Sequence, residues 1–269
     1  MISTVKTAAV SAILLLGAGF ATAQQPENPL YSASVIVTGD REETRIPMIP
    51  QAFAVATAKL SGNPDIVENP AFAAVAAKSR DYVWSYTYHD RMFGRPIHDE
   101  QGTRDRPFDL TVQFDQKMLD AALKSLGEKP WPEPRPHLGV ILAVTDMARS
   151  YLLTEGGEHG ADQRAAFADA STRYAIPVSF PTEVDLATAG IGTGSLDNAS
   201  FETLELLRGK LHVDALLLGH LEWNKTELGW TGTWRVPQKL DLGSWNIHGV
   251  NFDAAFRDAV GGAAKRLRR

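Results

Sequence analysis

Cysteine is absent from this 269-residue chain. That excludes disulfide bonds, thiolate-ligated zinc and a cysteine nucleophile, and it removes the lipid-modified cysteine that would tether an exported protein. Long apolar runs are almost as scarce. Only AAVSAILLLGAGF, residues 8–20, comes near one, and it is shorter than the ~18–20 residues a membrane span needs. Stable membrane insertion is therefore not expected. Positive charge is in deficit, with 27 Lys and Arg against 32 Asp and Glu and a net charge of -5, which argues against nucleic acid as a partner. No G-x-S-x-G elbow exists to present a serine nucleophile, and no H-E-x-x-H places two histidines one helical turn apart over a metal.

What stands at the start reads as a leader. MISTVK precedes the apolar stretch, and Ala21, Thr22 and Ala23 form an A-x-A cleavage signature before Gln24. The pattern predicts an exported, periplasmic protein with a signal peptide over residues 1–23, cleaved after Ala23. With 44% hydrophobic residues, the remaining chain can bury a full core without covalent staples.

Periodicity predicts a fold that mixes helices and strands, an α/β chain in the broad sense. An N-terminal α+β module over residues 30–128 precedes a proline-rich connector at 129–136 and a C-terminal α/β module with a mixed sheet at 137–269. In the first module, residues 31–37 read as a strand. Ile49, Phe53, Ala56 and Leu60 recur at helical spacing before Gly62, and Asn69 with Pro70 opens a second helix. Two strands of one sheet are expected at 82–88 and 107–114, the first placing Tyr82, Trp84, Tyr86 and Tyr88 on one face. Asp115 caps a helix that stops at Gly127. Pro130, Pro132, Pro134 and Pro136 at every second position favour an extended connector. Beyond them, the apolar run at 138–144 reads as a strand covered on both faces. Helices at 162–174 and 200–211 then alternate with strands near 178 and at 213–223, so a partly parallel sheet is expected. Residues 229–236 and 240–247 read as antiparallel strands, and Asn251 caps a last helix.

Candidate chemistry concentrates in residues 89–107, HDRMFGRPIHDEQGTRDRP. His89 and His98 with Asp90, Asp99, Glu100 or Asp105 have the donor types for a metal-assisted hydrolase, and Arg104 and Arg106 add charge to the same surface. No spacing dictates that chemistry, and a solvated hairpin with Arg and Asp paired to one another fits the composition first. Trp230 and Trp234 flank Gly232 on one strand face. Exposed, they would stack on sugar rings; buried, they fill a core under the last helix. GIGTG at 190–194 lacks the strand before it and the helix after it that a phosphate cradle needs, and it reads as a connection. The terminal KRLRR complements a helix C-terminus.

Four segments, SVIVTGDREETRIPMIPQAFAVATAKLSGNP, YTYHDRMFGRPIHDEQGTRDRPFDLTVQFD, KPWPEPRPHLGVILAV and WTGTW, resemble the bacterial exported family catalogued as domain of unknown function 2066. That resemblance implies export and carries over no catalytic residue. VDALLLGHLEW is also faintly similar to α/β domains of periplasmic envelope-assembly proteins, including the N-terminal domain of the translocation protein TolB. The expectation is a protein that acts by binding an envelope protein, with no cofactor and no catalytic or metal-ligand set assigned. A hydrolase using residues 89–107 and a glycan-binding module using Trp230 and Trp234 are the alternatives.

Overall fold

The computed structural model describes residues 28–94, 105–147, 149–238 and 243–268. The fold is α+β, with one antiparallel and one mixed sheet. Strands β1 (Ser32–Thr38), β2 (Val83–Asp90) and β3 (Pro107–Phe114) form the first sheet in the order β1-β3-β2. Between β1 and β2 lie α1 (Glu42–Arg45), α2 (Ile49–Ser61) and α3 (Phe72–Ala76). After β3 comes α4 (Gln116–Ser125), whose cap is the one the sequence predicts: Asp115 Oδ1 accepts from Met118 N at 2.9 Å. Gly62 ends α2 at φ +68°, a conformation an L side chain seldom adopts.

The aromatic strand departs from its predicted alternation. Between Val83 and Ser85 the register against β3 slips, so Val83 opposes Phe114 while Tyr86 and Tyr88 oppose Val112 and Leu110. Trp84 is thus the extra residue of a β-bulge, which re-aims a side chain out of the alternating pattern. Helix α3 also begins later than expected, at Phe72, because Asn69 instead closes a tight turn by accepting from Ala71 N at 2.9 Å.

The second sheet comprises β4 (Leu138–Asp146), β5 (Arg149–Leu153), β7 (Ala215–Asn224), β8 (Gly229–Arg235) and β9 (Ser244–Val250), ordered β5-β4-β7-β8-β9, with β6 (Val178–Ser179) beside β4. Strands β4 and β7 are parallel, and α5 (Ala161–Tyr174), α6 (Glu183–Thr188) and α7 (Phe201–Lys210) lie between them in the chain. Helix α8 (Phe252–Leu267) follows β9, with Asn251 Oδ1 accepting from Ala254 N at 2.8 Å. As a continuous apolar run implies, β4 is buried from Leu138 to Val144. Its even residues Val140, Leu142 and Val144 join the cluster that holds Phe167 of α5 and Phe256 of α8. Ile141 and Ala143 face the other cluster, with Leu186 of α6 and Leu204 and Leu207 of α7. The sheet is therefore the middle of three layers.

One apolar cluster runs through both halves of the chain, from Leu30 to Ala264. Its hub is α2, which is buried around most of its circumference because it touches β1 on one side and α5 on another. Arg268, the residue that caps α8, seals the seam by pairing with Glu128 at 2.8 Å, and Lys265 of α8 pairs with Asp65.

Asp258 of α8 lies among Trp245, Trp234 and Arg266, and burial pushes its carboxyl up from 3.8 to about 6, partly offset by the indoles and Arg266. A raised folded-state value means this group stabilises most below pH 3.8 and loses that contribution as pH rises through 6. Asp258→Asn should therefore be more stable than the native protein at pH 8, by roughly 1–2 kcal/mol after discounting for partial exposure, and no more stable at pH 4. Urea unfolding at the two pH values checks this.

Candidate functional site

At the neck of the hairpin formed by β2 and β3, the charged residues are paired with one another. Arg106 Nη1 donates to Asp90 at 2.8 Å and Met92 N donates to the same carboxylate at 2.7 Å, which together hold Asp90 below the usual carboxylate range. Arg41 reaches across from the turn after β1 to grip Asp105 with both terminal nitrogens. His89 Nδ1 lies 3.8 Å from Asp109, which also has Arg91 at 3.5 Å. Pairs on so open a surface add little to stability. His98, Asp99, Glu100 and Arg104 lie outside the described residues. Among the described residues, no three His, Asp or Glu side chains converge as metal ligands would.

The tryptophan pair separates. Trp234 is 1% exposed, with its indole over Gly219 and Gly232 and its edge toward Phe256, so it presents no face to a sugar. Trp230 is half-buried, edge-to-face with Trp223 at 5.4 Å. The GIGTG stretch is the connection between α6 and α7, closed by Gly192 N donating to Ser195 Oγ at 2.8 Å.

A different surface emerges along β2. Among the described residues this strand pairs only with β3, so none of them neighbours its other edge in the sheet. Trp84 and Tyr86 are 50% and 44% exposed there, and Phe93 in the following turn is 85% exposed. Arg45 of α1 lays its guanidinium 4.0 Å from the Tyr86 ring centroid and donates to Tyr88 Oη at 3.2 Å. Trp, Tyr and Arg are the side chains that dominate interface energies. The aromatic run is legible in the sequence. Its one-sided pairing and its bulge are tertiary facts, which residue spacing does not encode.

A second feature lies at the seam. A groove of about 560 Å³ is lined by Ser61, Glu128, Lys129, Trp131, Pro132 and Arg268, among others. Trp131 closes over Gly62, where an added Cβ would lie 2.4 Å from the indole, and the Trp131 backbone N–H donates to Leu60 O at 2.8 Å. Arg268 holds Glu128 with both terminal nitrogens, at 2.8 and 3.2 Å, and Asn63 donates to it at 2.7 Å. Burial raises the Glu128 carboxyl, yet these bonds outweigh it and leave the group below its ordinary value.

Residues 23–132 match a family described as Domain of unknown function (DUF8605). The match contains the first two of the four segments and the start of the third, WTGTW lies beyond it, and the family matched is not the one numbered 2066. The C-terminal limit of the match falls inside the proline-rich connector. No curated protein and no solved structure matches the chain.

Proposed function

We propose that this protein is exported to the periplasm and acts there by binding an envelope protein, with the β2 edge as the contact surface. The observation that carries the reading is the exposed Trp84 and Tyr86 on a strand edge that has no neighbour among the described residues, next to Arg45. Such an edge can accept an added strand, with main-chain hydrogen bonds giving affinity and the aromatic rings giving selectivity. The DUF8605 match begins at residue 23, where the leader ends, in keeping with a domain that follows a removable signal. The two modules divided at residues 129–136 present this edge as one body, because the core and the ion pairs of α8 cross the connector.

Cross-linking in intact cells should capture one or a few envelope proteins with the native chain. The Trp84→Ala/Tyr86→Ala double variant should bind at least ~30-fold more weakly, as loss of interface hot spots worth about 2 kcal/mol implies. Both rings are half exposed, so the variant keeps its fold and its circular dichroism. Undiminished capture by the variant, or none by the native protein, overturns the edge as the contact. Terminal sequencing of protein from the envelope fraction should begin at Gln24, and an intact Met1 on cytosolic protein overturns export.

A further inference from the structure

We propose that Arg135, stacked on Trp131 at the C-terminal end of α2, and the neighbouring Lys59 form a binding site for a phosphate-type oxyanion. Lys59 is 6% exposed and Arg135 7% exposed, and neither forms an ion pair among the described residues. The Lys59 ammonium donates to the carbonyls of Pro29 at 3.1 Å and Ser32 at 2.9 Å, which uses two of its three protons. Arg135 Nη2 donates to Lys59 O at 2.9 Å and Leu60 O at 3.3 Å, while its Nε and Nη1 are buried with no hydrogen-bond partner among the described residues.

Those contacts give Arg135 a structural role, since a cation over the last carbonyls of a helix complements its dipole. That role accounts for Nη2 and leaves two guanidinium nitrogens over. Burial pushes the Lys59 ammonium down to about 8, with Arg173 and Arg135 adding to the shift, and burial pushes Arg135 down to about 10. Glu133, two residues before Arg135, is the carboxylate whose field reaches that guanidinium. Crowded cations in a poorly solvated place destabilise the fold unless an anion joins them.

Access is nearby. The Arg135 guanidinium lies 4.2 Å from the Trp131 ring centroid, and Trp131 lines the 560 Å³ groove with Lys129 and Arg268. Glu128, the acidic residue of that lining, is already held by Arg268 and Asn63 and does not compete. A single carboxylate would offset one cation of the cluster. A phosphate dianion can offset two and offers enough acceptor oxygens for the remaining donors of Arg135 and Lys59.

The full chain should show saturable binding of inorganic phosphate by titration calorimetry. Its melting temperature should rise by roughly 5–10 °C at a hundredfold excess over Kd, against sodium chloride at equal ionic strength. Arg135→Gln and Lys59→Met should each weaken that binding at least tenfold. Phosphate also stabilises proteins generally through exclusion from their surface, and that unsaturating part should persist in both variants. Trp131→Phe should abolish any fluorescence change on phosphate addition. Glycerol 3-phosphate binding more tightly than inorganic phosphate would identify the anion as the head of a larger molecule lying in the groove; equal affinity would identify a free ion. The proposal is overturned if calorimetry of the native chain shows no saturable phosphate binding, or if either folded variant binds phosphate as tightly as the native chain does.

Discussion

Trp234→Ala should lower the unfolding free energy by about 3–5 kcal/mol, the range for deleting a large ring from a filled core. The indole sits in a slot made by two glycines. A Cβ built on Gly219 would lie 2.3 Å from it, and one on Gly232 would lie 2.7 Å away. Backbone of β7 and of β8 itself thus approaches the ring where side chains would otherwise stand, and paired strands cannot close over the void left by alanine. Phe256 of α8, 6.3 Å away edge-on, would lose its neighbour as well. Denaturant unfolding followed by circular dichroism gives the number. A loss under 1 kcal/mol would mean that this tryptophan is not a core residue and would reopen the glycan-stacking role weighed for it.

Phe53→Ala should cost a similar ~3–5 kcal/mol, and its effect should reach the second sheet. Phe53 is fully buried in α2, with Phe72 and Tyr82 at 5.7 Å and Phe114 at 6.0 Å, so its removal opens a void among three other rings. Because α2 also touches α5, the two modules share what is lost. One transition, displaced downward by roughly 6–20 °C, is expected from circular dichroism and from tryptophan fluorescence alike. Two transitions, with only one displaced, would show that the modules fold independently.

Much of the fold is local chemistry and therefore legible in residue order. Asp115, Ser200 and Asn251 each accept a hydrogen bond from a backbone N–H three residues on, as short polar side chains ahead of an apolar periodic run do. The doubly buried β4 follows from its unbroken apolar run. Strand β5 was missed because its five residues, RSYLL, are too few to establish a period. Helix α6 was missed although Thr182 and Asp185 form a reciprocal capping box, a signal that TEVD spells openly. Strand β9 reaches Val250 instead of stopping at 247, since its extent is set by pairing with β8, in a register that shifts between Trp230 and Gly232.

The functional surfaces were less legible. Residues 89–107 are dense in charge, yet their described carboxylates, Asp90 and Asp105, lie against arginines, as does Asp109 just beyond them. Lys59 gave no warning, because a lysine within AVATAKLS reads as the solvent side of an amphipathic helix. Only the contact of α2 with both sheet β1-β3-β2 and α5 turns that position inward. Arg135 was hidden in the same way, by a connector whose prolines suggest a solvated spacer.

The placement of α8 has a consequence for how the molecule comes into being. Ala255, Phe256, Ala259, Val260, Ala263 and Ala264 complete the same cluster that begins at Leu30. A nascent polypeptide leaving the ribosome therefore carries an unsealed interior through the synthesis of every preceding element. Vectorial folding that starts at the amino end cannot finish there, and the chain stays open to chaperones until α8 has been made.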